Sequence, residues 1–156
     1  MLGSHGLTFK QWYFEESAHI PLVMKWPGRI EPGAREQIIT LADLSPTLLG
    51  LLGLRFPGPV DGRAYPDCAL RADGRGAEDA YLYSIIPCHQ AWLREVGSWR
   101  ALVRGNWKYA ANEDGTPLAL YDLKSDPFEE HNLLGVADPA LIDEMKEGLR
   151  AKVNRF

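Results

Sequence analysis

Near the start of the chain, His5, Lys10, Glu15, Glu16 and His19 lie within one short segment. Their side chains can move protons or neutralise an anion. Lys10 ends a polar, glycine-punctuated stretch, Gly3-Ser-His-Gly-Leu-Thr-Phe-Lys10, which reads as a loop. A lysine in a loop is usually a solvated surface charge. A compact ammonium on a flexible stem also suits the neutralisation of charge on a tetrahedral oxyanion. His5, beside a glycine, could protonate an alkoxide leaving group or touch substrate, or it could be a surface imidazole. Glu15 and Glu16 invite an acid and base pairing. Adjacent side chains point in different directions, however, and neither is assigned catalysis. Farther on, Cys88-His89 suggests a thiolate nucleophile. Neighbours in sequence rarely have that geometry, and no third member is evident.

The elements that must position these residues fall into two parts. Ile20 to Met24 is a short apolar run closed by Pro27 and Gly28, and reads as a buried strand. A second strand is expected at Ile38 to Leu41, then a helix starting at Ser45-Pro46 and stopped by Gly53. Leu48, Leu49, Leu51 and Leu52 nearly encircle that helix, which implies burial between other elements. Residues 55 to 79, rich in Gly, Pro, Asp and Arg, read as an irregular connector. Strands are expected at Ala80 to Ile86, Trp99 to Arg104, Trp107 to Ala111 and Leu118 to Tyr121, with Gly105-Asn106 as a tight hairpin turn. The last element is a helix capped by Asp138, with Pro139 in its first turn. Leu141, Ile142, Met145, Leu149 and Val153 form its apolar stripe. The sum is an α+β chain with a small antiparallel sheet and one helix packed on it.

Four blocks, in order, carry a family resemblance: the segment from Gly3 through Ile20-Pro-Leu-Val23 to Trp26-Pro-Gly-Arg-Ile-Glu-Pro-Gly33; Leu41-Ala-Asp-Leu-Ser-Pro-Thr-Leu-Leu49; Arg104-Gly-Asn-Trp-Lys-Tyr109; and Leu120-Tyr-Asp-Leu-Lys-Ser-Asp-Pro127 with Glu130 to Leu133. Together they resemble the sulfatase family, the arylsulfatase and phosphonate monoester hydrolase branch of the alkaline-phosphatase-like superfamily, in its C-terminal portion. The resemblance implies that residues 1–54 close a large α/β domain and include its lysine loop. It makes 55–79 a connector and 80–156 the C-terminal subdomain. It implies hydrolysis of sulfate esters, or of phosphonate or phosphate monoesters. Lys10 would contact the sulfate group and neutralise charge on the departing oxygen, with His5 as a second catalytic candidate. Glu15 would support the lysine loop, and His89 would reach the substrate mouth. His19 stands where the family often has an arginine.

The family's cofactors are a divalent cation (calcium, or manganese or magnesium) and a formylglycine made from the cysteine of a Cys-x-Pro-x-Arg type motif. Neither Cys68 nor Cys88 has a proline two places on, and the family's Asp-His or Asp-Asn metal pair would fall before Met1. No metal ligand is therefore expected in this chain. Alone it should be inactive, pairing with a missing N-terminal part or forming a homo-oligomer. The contrasting reading is a non-catalytic fragment or interaction module.

Composition narrows the classes. A chain of 156 residues, 46% hydrophobic with net charge −4, suits one ordinary domain or one plus a piece of another. The apolar runs are too short to span a bilayer, and no basic stretch followed by an apolar one marks a secretory signal. The compartment stays open. No run of Lys and Arg favours nucleic acid. A small-molecule sulfate ester is the expected partner of the parent enzyme.

Overall fold

A computed structural model of the chain describes residues 1–8, 10–84 and 97–153. Two compact units emerge: residues 1–20 with 81–156, and residues 21–80.

The first unit is built on a four-stranded sheet in the order β1-β2-β3-β4, with β1 Asp79–Ser84, β2 Trp99–Arg104, β3 Trp107–Asn112 and β4 Pro117–Asp122. The β2–β3 pair is antiparallel from Trp99↔Asn112 to Arg104↔Trp107, which leaves Gly105-Asn106 as the two-residue turn. Gly105 has φ 56°, as a turn matching the strand twist requires. β3 pairs antiparallel with β4 and slips by a bulge between Ala110 and Ala111.

Side chains alternate across the two faces. Leu102, Tyr109, Ala111 and Leu120 bury one face against Met145 and Leu149 of a long helix, Pro139–Val153. Asp138 starts this helix, its Oδ1 accepting the Ala140 N–H at 2.9 Å. The opposite face carries a row of paired alanines, Ala101↔Ala110↔Ala119, between Trp99 and Tyr121. Such small residues leave a trough, and the aromatic run Trp12, Tyr13 and Phe14 with Leu7 fills it. The sheet is thus covered by the helix on one side and by the N-terminal segment on the other. Ala110→Leu would crowd the trough without touching the helix side. It is expected to cost about 1–3 kcal/mol in urea unfolding and to expose the tryptophans, visible as a fluorescence red shift.

In the second unit, α2 spans Leu41–Leu51. Thr40 donates both its N–H (3.0 Å) and its Oγ1–H (2.7 Å) to Asp43 Oδ2, so the helix starts at Leu41, not at Ser45 as expected. Pro46 lies inside its second turn. The buried side also differs from expectation. Asp43, Pro46 and Thr47 are buried, while Leu41, Leu48 and Leu52 are exposed. The reason is hydrogen bonding: Asp43 Oδ1 accepts the Arg63 N–H at 2.7 Å and Thr47 Oγ1 the Tyr65 N–H at 3.0 Å, drawing the following loop over the polar side.

A short helix α3, Pro66–Leu70, interrupts the expected connector and buries Cys68 and Ala69. A Cβ on Gly62 would lie 1.9 Å from the Ala42 carbonyl oxygen, a backbone obstacle that cannot rotate away. Gly62→Ala is therefore expected to destabilise this unit by about 2–3 kcal/mol, measurable by chemical denaturation.

Two expected strands are corrected. Ile20 to Met24 forms none: Pro21 has no N–H to donate to a ladder, and Ile20, Leu22 and Val23 are exposed. Ile38 to Leu41 shrinks to a single bridge, Ile38↔Ala77, because the helix claims Leu41. Among the described residues no helix is long and apolar enough to cross a membrane.

Candidate functional site: the lysine loop and its anchor

The loop carrying His5 and Lys10 is held at both ends by the sheet. Leu7 is buried on the near side of Lys10, and Trp12 to Phe14 are buried on the far side. Between them the Gln11 carbonyl accepts the indole N–H of Trp99 at 2.9 Å. The Trp12 N–H donates to Ser17 Oγ at 3.1 Å, closing the chain into α1, Glu15–Ala18. Tyr13 meets Trp99 edge to face, with centroids 5.8 Å apart. Lys10 itself is exposed. An ammonium presented to solvent from a backbone fixed on both sides is a suitable seat for an anion.

His5 is half-buried and stacked on Phe14, with centroids 3.8 Å apart and planes within 9°. It sits in a single 3-10 turn, Ser4–Gly6, with φ 54°. Phe14 belongs to the aromatic cluster in the alanine trough, so the sheet positions His5 through one intermediate ring.

Beneath the loop lies an ion cluster that sequence reasoning missed. Lys108, the second residue of β3, is fully buried. Its Nζ donates to the Tyr13 carbonyl at 2.8 Å and pairs with Glu15 Oε1 at 2.6 Å and Glu129 Oε1 at 2.9 Å. One carbonyl and two carboxylate oxygens thus surround the ammonium. Glu129 Oε2 accepts the Glu15 N–H at 2.5 Å, which closes the cluster. Glu15 also pairs with His19 at 2.9 Å, giving both residues supporting roles. Desolvation pushes the Glu129 carboxyl above its usual range, with the Lys108 charge pulling the other way. Burial, aided by the Glu129 charge, pushes the Tyr13 hydroxyl up to about 12. Among the described residues, the non-glycine positions with positive φ are His5 (54°), Gln11 (77°) and Glu129 (56°). All three lie in this loop or its anchor, and each conformation costs on the order of 1 kcal/mol. The available sequence signal was a lysine in a strand between Trp107 and Tyr109, a place where a charge needs a reason.

Residues 3–155 match the family described as N-sulphoglucosamine sulphohydrolase, C-terminal. The chain belongs to that family. Its relatives include arylsulfatase K of Xenopus laevis, 31% identical over 96% of this chain and 28% of that protein. The N-acetylglucosamine-6-O-sulfatase of Bacteroides thetaiotaomicron is 28% identical over 89% of this chain and 25% of its own length. A solved structure of a protein in complex with its substrate D-glucosamine-2-N,6-O-disulfate superposes with TM-score 0.78 at 25% identity. That match covers 97% of this chain and 31% of the other. The chain thus spans between a quarter and a third of these relatives, and the sulfatase resemblance and the α+β architecture both stand.

Among the described residues, one cysteine and one cluster of side chains bear on the family's cofactors. Cys68 is buried within α3, where desolvation raises its thiol pKa against an opposing pull from Arg35. It lacks the proline two places on that the Cys-x-Pro-x-Arg motif carries. Potential metal ligands converge at Asp126, Glu130 and His131, with donor atoms within 4.8 Å. There both Asp126 oxygens already accept backbone N–H groups, from Glu130 at 3.1 Å and His131 at 2.8 Å. Desolvation raises the Asp126 pKa, but these bonds outweigh it and hold the carboxyl below its usual range. His89 and Cys88 lie outside the described residues.

Proposed function

We propose that this chain is the C-terminal part of a hydrolase of sulfate esters, and that Lys10, with His5, is its contribution to the reacting centre. The observation that carries this reading is the loop: an exposed lysine held between buried anchors, within a stretch matched by the sulphohydrolase family from residue 3 onward. Sulfuryl transfer needs a nucleophile and strong electrostatic stabilisation of the non-bridging and leaving oxygens. Lys10 supplies the second, as a point charge beside the departing oxygen. His5, oriented by Phe14, would hand a proton to the leaving alkoxide. In the family, a divalent cation and a formylglycine supply the nucleophile. Here they would come from the rest of the polypeptide, with which residues 1–54 would complete the α/β domain while 80–156 border the substrate. The substrates named for the relatives, sulfated glucosamines among them, make a sulfated sugar the first ester to try.

The test is sulfate release by the whole polypeptide in which this sequence occurs, from an aryl sulfate, a 6-O-sulfated glucosamine and a phosphonate monoester offered in parallel. Turnover of a sulfate ester in preference to the phosphonate supports the reading. Preference for the phosphonate turns it into the sister activity, and turnover of none leaves the interaction-module reading. The 156-residue chain alone is expected to release no sulfate until it is joined by the N-terminal part.

A further inference from the structure

The buried lysine of β3 has no part in the reaction as drawn so far. We propose that Lys108 is a positioning residue for that hydrolysis: through Glu15 and the Tyr13 carbonyl it fixes the backbone that presents Lys10. The inference rests on the sulfate-ester reading above.

Stability is a poor explanation for this cluster. Taking an ammonium and carboxylates out of water costs more than their attraction commonly returns, and replacing every member of such a cluster by apolar residues of similar volume often leaves a core as stable or more so. What the ion cluster supplies is direction. A packed methionine would accept many positions of the segment above it, whereas an ammonium hydrogen-bonded to the Tyr13 carbonyl at 2.8 Å and paired with carboxylate oxygens at 2.6 and 2.9 Å holds it near one. Two of those oxygens, the Tyr13 carbonyl and a Glu15 carboxylate oxygen, belong to the segment that follows Lys10. The third belongs to Glu129, whose other oxygen holds the Glu15 N–H. Trp99 pins the carbonyl of Gln11, the next residue along from Lys10. The left-handed backbone at His5, Gln11 and Glu129 shows that the surrounding structure overrides local preference at this place. Misplacing a reacting group by about 1 Å can cost on the order of 100-fold in rate, so a frame of this kind has catalytic value.

The experiment compares four variants of the whole polypeptide: Lys108→Met, Lys10→Ala, the double substitution, and Met145→Ala. The last loosens the opposite face of the sheet and controls for lost stability. Sulfate-ester turnover is read at a temperature where circular dichroism shows every variant folded. Lys108→Met is expected to lower kcat/KM on the order of 10- to 100-fold, and to have less than about a 2-fold effect once Lys10 is already alanine. Met145→Ala should stay within about 2-fold of wild type. Additive losses, or an equal loss in Met145→Ala, would overturn the proposal.

Hydrogen exchange gives a readout that does not need turnover. Relative to the β2 to β4 amides, which report the global loss of stability in each variant, the amides of Gln11 to Glu15 should exchange about 10-fold faster in Lys108→Met and not in Met145→Ala. Unaltered exchange at Gln11 to Glu15 overturns the proposal even if activity falls. Should the wild type release no sulfate, the hydrolase reading fails by itself, and the exchange result alone decides whether Lys108 fixes the loop.

Discussion

Lys108→Met is expected to cost on the order of 3–5 kcal/mol of folding stability at neutral pH. The substitution nearly conserves volume, so packing predicts a small loss. Charge predicts a large one, because Glu129 remains buried with no cation beside it, and the Tyr13 carbonyl loses its donor. The two accounts separate on pH. The folded-state pKa of Glu129 is already above the ordinary carboxylate value. Its proton therefore contributes stability that is present below that ordinary value and lost as pH rises through the raised one. Removing Lys108 takes away the charge that holds this pKa down, and the window widens upward. Tyr13 and Tyr121 stay neutral there, since burial pushes both hydroxyls upward. Glu15, which also pairs with His19, is the other carboxylate beside Lys108. Urea unfolding of variant and wild type at about pH 7 and about pH 5 should show the deficit shrinking on acidification. A deficit of the same size at both would mean that packing, not charge, is what the lysine contributes.

Lys10→Ala should do the reverse, leaving the fold alone and removing the chemistry. The side chain is exposed, and its neighbours in the loop are held by Trp99, Lys108 and the alanine trough rather than by Lys10. Surface substitutions of this sort usually stay within about 0.5 kcal/mol. A preorganised charge aimed at a developing oxyanion is worth about 100- to 1,000-fold in rate. The whole polypeptide carrying Lys10→Ala is therefore expected to keep its melting temperature and lose that factor in kcat/KM on a sulfate ester. Lys10→Arg should recover only part of it, because a planar fork does not place charge where a compact ammonium does. Unchanged turnover in the alanine variant would remove Lys10 from the reacting centre.

Legibility in the sequence followed the locality of the forces. β2 and the final helix emerge where expected because their signals are short-range: an alternating strand beside a Gly-Asn turn, and a capped apolar stripe. α2 was misjudged because its leucines outnumber its polar residues, while its burial is decided by two hydrogen bonds from residues 63 and 65. Ile20 to Met24 has the composition of a strand, but a strand needs a neighbour to pair with, and composition does not report one. Lys10 and His5 are candidates through the family resemblance. Lys108 was not, since a lysine in a strand reads as a solvated side chain until Glu129, far along the chain and in a left-handed conformation, is known to reach it.

The same long reach dictates an order of events during synthesis. Trp99 lies 88 residues beyond Gln11, Lys108 lies 95 beyond Tyr13, and Glu129 lies 114 beyond Glu15. At ribosomal speed the last interval takes on the order of ten seconds. Throughout it Lys10 is already made and still has no fixed place. The frame around Lys10 is therefore among the last features this polypeptide acquires, and a nascent chain released before Glu129 would hold the lysine without it.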